Sequence, residues 1–260
     1  MSNEAFPLPL GTPQPWRAKA GEVRLPRTEV LRYLGYRNQE LEVGLVERID
    51  AAIEEAERTL EPRGLRATFA VDAAGTDENG EPCIRLVGTT AVLTGRDIYR
   101  HLKDARVAVV FAVTLGMESE RRLRLLSSQT PLDATLYDAA CSALIEEAAE
   151  HVDRAAKREA ARANFVGNWR FSCGYGDLPL TAQQSLLDAL NARRMLGITL
   201  TPSNLMIPSK SITALFGLFP QDDATGTGVV PASDSIRSCQ GCTVAGGCAF
   251  RSRGITCWKR

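Results

Sequence analysis

Seven consecutive apolar residues, Val107 to Val113, lie between Arg106 and Thr114. Most of them are β-branched or small, and the run shows no polar alternation. A stretch of this length and composition reads as a buried central strand. Whatever else the chain does, it must build a sheet around this segment.

The flanking sequence supplies candidate neighbours. Ala67 to Val71 and Cys83 to Val87 read as strands joined by a polar turn at Gly75–Gly80, a hairpin with a long loop. Helical patterns alternate irregularly with these strands. Thr28 is placed to cap a short helix that Gly35 would end. Gln39 to Leu60 carries Leu41, Leu45, Ile49 and Ile53 as one stripe, stopped by Pro62-Arg63-Gly64. Thr94 would cap a helix bearing Ile98 and Leu102. Gly116 ends the central strand, and a helix with Leu123 and Leu126 follows. The longest helix starts near Pro131 and runs to about Arg162, with Tyr137, Cys141, Leu144, Ala148 and Val152 on one face. Another helix is predicted over Thr181–Leu196, ended by Gly197. Hairpins and long helices without regular strand–helix alternation argue for an α+β fold.

The ends differ from this middle. Residues 1–20 contain Pro7, Pro9, Pro13 and Pro15 without periodicity and read as an extended arm. Residues 21–220 form the expected α+β domain, 221–237 a linker, and 238–260 a cysteine-rich tail. The 31 basic and 31 acidic side chains cancel, so no global field would draw in nucleic acid. No apolar run approaches the ~20 residues of a membrane span. The N-terminus lacks a basic region followed by an apolar stretch, and a cytoplasmic location is expected.

Two segments carry the functional reading. Arg170-Phe171-Ser172-Cys173-Gly174-Tyr175-Gly176-Asp177-Leu178-Pro179 is turn-rich and lies between two helices. Its glycines would let backbone groups approach a ligand closely, beside a guanidinium and a phenol. That set suits a ligand with a carboxylate, a ribose and a flat base, although a Gly-Tyr-Gly stretch also serves as a plain turn. The second segment, Gly197 to Ala214, reads as a strand, a turn and another strand. Taken together, Arg170, Gly174, Tyr175, Pro179, Gly197, Leu200, Thr201, Ser203, Met206, Pro208 and Ser211 resemble, in order and spacing, the activation domain of cobalamin-dependent methionine synthase. The Gly-Tyr-Gly-Asp-Leu-Pro form, with Pro-Ser-Lys-Ser later, resembles the stand-alone relatives of that domain.

The resemblance implies a curved antiparallel sheet with long helices and a cleft for S-adenosylmethionine. It places Arg170, Cys173, Gly174, Tyr175 and Gly176 at that ligand, with Glu146 of the long helix holding its amino group or favouring its sulfonium charge. Helical periodicity alone puts Glu146 opposite the apolar face, on solvated surface. Cys173 stands where many relatives have Pro, and reads either as a buried small residue or as a reactive thiol. The implied role is reductive methylation of oxidised cobalamin. The cobalamin would be carried by a methionine synthase subunit, and a flavodoxin- or ferredoxin-type protein could supply the electron. A reactivator of another corrinoid methyltransferase and a non-catalytic zinc-tailed adaptor are the alternatives.

Cys239, Cys242, Cys248 and Cys257 form a Cys-x2-Cys-x5-Cys-x8-Cys pattern among several glycines. Four thiolates suit an iron–sulfur cluster or tetrahedral zinc; the single Cys-x2-Cys knuckle departs from the paired knuckles of zinc ribbons. Cys83 and Cys141 read as core residues. The two histidines, His101 and His151, fall in predicted helices and are expected at surface or half-buried positions.

Overall fold

The structure is a computed structural model that describes residues 8–221. The linker and four-cysteine tail, including Cys239, Cys242, Cys248 and Cys257, lie outside the described residues, apart from residue 221.

The predicted central strand is β5 (Val107–Thr114), and every one of its residues is buried. It lies between β2 (Arg63–Asp72) and β9 (Ser211–Pro220), both antiparallel to it. The sheet continues outward through β3 (Cys83–Leu86) and β4 (Val92–Thr94) on one side, and through β6 (Phe165–Gly167) on the other. Gln14–Arg17, within the proline-bearing N-terminal stretch, pairs with β2 as strand β1. β1 and β3 use the same edge of β2 at different ends, Arg63–Arg66 and Val71–Asp72.

The absence of alternation in β5 has a simple cause: both faces of the sheet are covered. Val107, Val109, Phe111 and Val113 point into one core, with α1 (Arg27–Tyr33), α2 (Val43–Thr59), α4 (Met117–Gln129) and α5 (Pro131–Ala161). Ala108, Val110 and Ala112 point into the other, with α3 (Arg96–Leu102), α6 (Ala182–Ala189) and α7 (Ala192–Leu196). Burial of each large side chain contributes about 1.5–3 kcal/mol. The small residues of β5 set how closely the second layer approaches.

The long helix α5 is buried on more than the one stripe that periodicity marks. Ala139, Ala140, Ala143, Ala149 and Ala156 are buried as well. The helix sits between the sheet and helices α1, α2 and α4, and alanines allow contact on both sides.

Five expectations need correction. Thr28 lies inside α1, whose N-cap is Pro26, and does not cap it. Helix α2 ends at Thr59, and Arg63 and Gly64 belong to β2 instead of stopping a helix. Gly64 lies under Trp16 and against Val113, where a Cβ would come within 2.8 Å of the valine side chain. Thr94 ends β4 and does not cap α3; Gly95, at φ +125°, occupies that position. The predicted helix over Thr181–Leu196 is two helices, broken where Asn191 takes a left-handed conformation, φ +52°. His101 is 2% exposed, where a surface or half-buried position was predicted. Helix α1, by contrast, ends as read: Gly35 is left-handed at φ +75°, and Tyr36 N–H donates to the Leu31 carbonyl.

Candidate functional site

The chain emerges from β6 and follows the outer edge of β9. Phe171 N–H donates to the Leu215 carbonyl at 2.7 Å, and Leu215 N–H returns a bond to Phe171 at 2.8 Å. The two motif segments are therefore physically joined, since β9 begins at Ser211 of the second. An extended chain sends alternate side chains to opposite faces. Trp169 and Phe171 go to the core shared with α3, and Arg170 goes to α5.

The Arg170 guanidinium is 17% exposed and sits in a fork of carboxylates. Its Nη2 lies 2.9 Å from Glu146 Oε2, and its Nη1 lies 2.8 Å from Glu150 Oε2. Glu146 is thus half-buried and ion-paired, which periodicity on a single stripe could not show. Glu150 also faces Arg154, with its Oε1 at 3.3 Å from Nε, and Glu147 holds the same arginine at 2.8 Å. One turn further along α5, Asp153 pairs with Lys157 at 2.7 Å. Burial pushes the Asp153 carboxyl above the usual range, while Lys157 and Arg170 pull it back. Glu146, Glu147, Glu150 and Asp153 thus face Arg154, Lys157 and Arg170 along this stretch of α5.

The loop after Phe171 is held by its own backbone. Tyr175 N–H donates to Ser172, Leu178 N–H to Tyr175, and Gly174 N–H to Leu178. Gly174 and Gly176 are left-handed, at φ +85° and +52°. A Cβ on Gly176 would come within 2.7 Å of Asp97 Oδ2, so this glycine is required by contact with α3. Tyr175 is half-buried against the α3-side core, while Arg170 faces α5. The structure thus places the two on different sides of the strand edge. Cys173 is buried, and burial pushes its thiol up to about 12. It stays protonated at neutral pH, as a packing residue does.

Sequence reading paired Glu150 with Arg154 on the long helix, as the structure shows, but did not single out Asp177 or Asn168. Asp177 accepts hydrogen bonds from the N–H groups of Arg96 (2.7 Å) and Asp97 (3.0 Å), the first turn of α3. Asn168 Nδ2 donates to the His101 carbonyl at 2.8 Å, and its Oδ1 accepts from Gly217 N–H at 2.8 Å. His101 packs on Trp169 and Phe171, with centroids 4.5 and 5.3 Å apart, and burial lowers its pKa to about 3. The only available signal was the position of Asp177 inside the glycine-bearing motif.

The second motif is largely scaffold. β7 (Thr199–Leu200) and β8 (Met206–Ile207) form a hairpin closed by Thr201, whose Oγ1 accepts from Leu205 N–H at 3.0 Å. Lys210 Nζ reaches Asp138 at 2.7 Å and Ser142 at 2.8 Å on α5, and Ser211 Oγ donates to Thr114 Oγ1 at 2.7 Å. These bonds fix the start of β9 against α5 and β5, which sets the edge that Arg170 follows.

No protein-family model and no curated protein matches the sequence. Among solved structures, the crystal structure of the MetH reactivation domain bound to AdoHcy superposes with a TM-score of 0.58. It shares 20% identity, and the match covers 81% of this chain and 79% of that one. The mixed sheet-and-helix architecture built around β5 is therefore the fold of the MetH reactivation domain.

Proposed function

We propose that this chain binds S-adenosylmethionine at the Arg170 fork and supports reductive methylation of oxidised cobalamin held by a methionine synthase subunit. The observation that carries the reading is the guanidinium forked between Glu146 and Glu150, at the start of the segment whose motif resembles that of the activation domain. The structural neighbour with this fold was crystallised with AdoHcy, the demethylated form of the same ligand.

The residues fit such a ligand chemically. Arg170 offers two parallel N–H edges to an α-carboxylate. Both are occupied by Glu146 and Glu150, so entry of the ligand is an exchange. Glu150 already has Arg154 as a second partner and can give up Nη1 without being left unpaired. Glu146, released from Nη2, would face the ligand's ammonium or sulfonium. The backbone at Gly174 would meet the nucleoside; the Tyr175 ring, packed on the α3 side, would have to turn toward α5 to reach it. Because the bound sulfonium supplies the methyl group, the work of this chain is to hold it in register with a docked corrinoid partner.

Cys239, Cys242, Cys248 and Cys257 belong to this reading as a candidate electron centre. Four thiolates there would hold an iron–sulfur cluster, or zinc in a structural role. Anaerobic purification followed by iron, sulfide and zinc analysis separates the two, and stoichiometric zinc without iron would end the electron role.

Calorimetric titration of the full chain with S-adenosylmethionine tests the central claim. Saturable binding that is lost in Arg170→Ala supports it. No heat with the folded protein, or unchanged affinity in Arg170→Ala, removes it. Capture of a cobalamin-binding methionine synthase subunit, in preference to other corrinoid proteins, tests the choice of partner.

A further inference from the structure

A second concave surface lies at another part of the molecule and shares no lining residue with the Arg170 fork. It is an open groove of about 680 Å³ between β1, the start of β2, the N-terminus of α4, and α7. Four guanidinium groups line it, those of Arg17, Arg63, Arg121 and Arg194, against the carboxylates of Glu61 and Glu118. Glu118 is engaged with Arg121 at 3.3 Å. Arg17, Arg63 and Arg194 have no carboxylate partner among the described residues.

Arg63 is the informative member. It is only half exposed. Three other half-buried arginines, Arg66, Arg122 and Arg170, are each paired with glutamate. A guanidinium on a half-buried residue, with no ion pair to the Glu61 that lines the same groove, is available to an anion from outside. Its Nη2 lies against Gly116, 3.1 Å from where a Cβ would be. Gly116 is the N-cap of α4, a helix of 13 residues with no side-chain cap. The positive end of that helix, whose first turn also carries Glu118 and Glu120, therefore adjoins the same guanidinium. The floor is apolar: Leu60, Leu115, Met195 and Pro208, with Met117 and Met195 38% and 42% exposed.

We infer that this groove binds a small phosphate ester with an apolar body. The phosphate lies between Arg63, Arg194 and the α4 N-terminus, and the body covers Leu115 and Met195. Phosphate is favoured over a single carboxylate because several guanidinium groups and a helix N-terminus converge, which matches a dianion with three acceptor oxygens.

The test is titration of the full chain with phenyl phosphate, and separately with inorganic phosphate, followed by arginine side-chain and phosphorus NMR. Saturable binding is expected, tighter for phenyl phosphate because its ring has a floor to cover. Arg63→Gln and Arg194→Gln should each weaken it about tenfold, with melting temperature and S-adenosylmethionine affinity unchanged. Non-saturating shifts, or equal affinity in both variants, would overturn the inference. Competition by S-adenosylmethionine would overturn the separateness of the two sites. Binding to vesicles containing phosphatidic acid, with none to phenyl phosphate, would replace it with a membrane-surface role. S-adenosylmethionine binding is read in the same samples, so failure here is distinguishable from failure of the Arg170 reading.

Discussion

The carboxylate of Asp177 caps a helix that begins 81 residues earlier, accepting the backbone N–H of Arg96. The Gly-Tyr-Gly-Asp motif is thus bolted to α3 from outside. Gly95, which precedes the helix, makes room for it: a Cβ there would come within 2.5 Å of Asp177 Oδ1. Asp177→Ala should lower stability by about 1–2 kcal/mol, the usual cost of losing a helix cap. Asp177→Asn should retain part of it. Urea unfolding of the three proteins side by side measures this, and equal midpoints would refute the capping role.

Gly176→Ala is expected to be worse than a typical surface substitution. It combines a left-handed conformation with a contact 2.7 Å from Asp97 Oδ2. A loss of about 1–3 kcal/mol follows. Gly80, also at positive φ but with nothing near its missing Cβ, is the matched control. Thermal melts of Gly176→Ala and Gly80→Ala should therefore separate, the first falling further.

Substitutions at the carboxylate fork should act in opposite directions. Glu146→Gln removes a group proposed to meet the ligand's positive charge. It should weaken S-adenosylmethionine binding about tenfold and narrow the preference over S-adenosylhomocysteine. Glu150→Gln removes a competitor for Arg170 and should leave affinity equal or tighter. Calorimetry with both ligands decides this, and a tenfold loss in Glu150→Gln would show that the exchange is drawn wrongly.

His101 predicts a dependence on pH. Its pKa is lowered to about 3 in the folded chain by burial, against about 6.5 when unfolded. Between those values the unfolded state binds the extra proton. Stability is therefore fully present above about pH 6.5 and falls as the pH drops toward 3, by up to ~1.4 kcal/mol per pH unit. Unfolding free energies at pH 7 and pH 5 should differ more in the parent than in His101→Gln. An identical pH slope would place the titration elsewhere.

Much of the frame was legible because it is written in runs and stripes. The apolar block of β5 and the 31-residue α5 are long enough for periodicity to speak. β6 was not legible, because three residues carry no period; it exists only because β9 offers an edge. The break at Asn191 was hidden for a related reason, since the apolar spacing continues across it. At the candidate site, the motif drew attention to Arg170 and Glu146, and no pattern in the chain states that they touch. An ion pair between residues 24 apart depends on where β6 and β9 bring the strand back against α5. The Asp177 cap is equally non-local, and Thr94 was the reasonable local choice in its absence.

The alternation along the β9 edge leaves one residue in a useful place. Trp169 adjoins Arg170 in the chain, yet its ring lies in the opposite layer, 4.5 Å from His101 and 5.1 Å from Phe171. Any shift of the main chain at the carboxylate fork is a lever whose other arm is this indole. If a ligand enters on the α5 side as proposed, the indole of Trp169 would report it from the far side of the sheet, read in a variant that lacks the other two tryptophans.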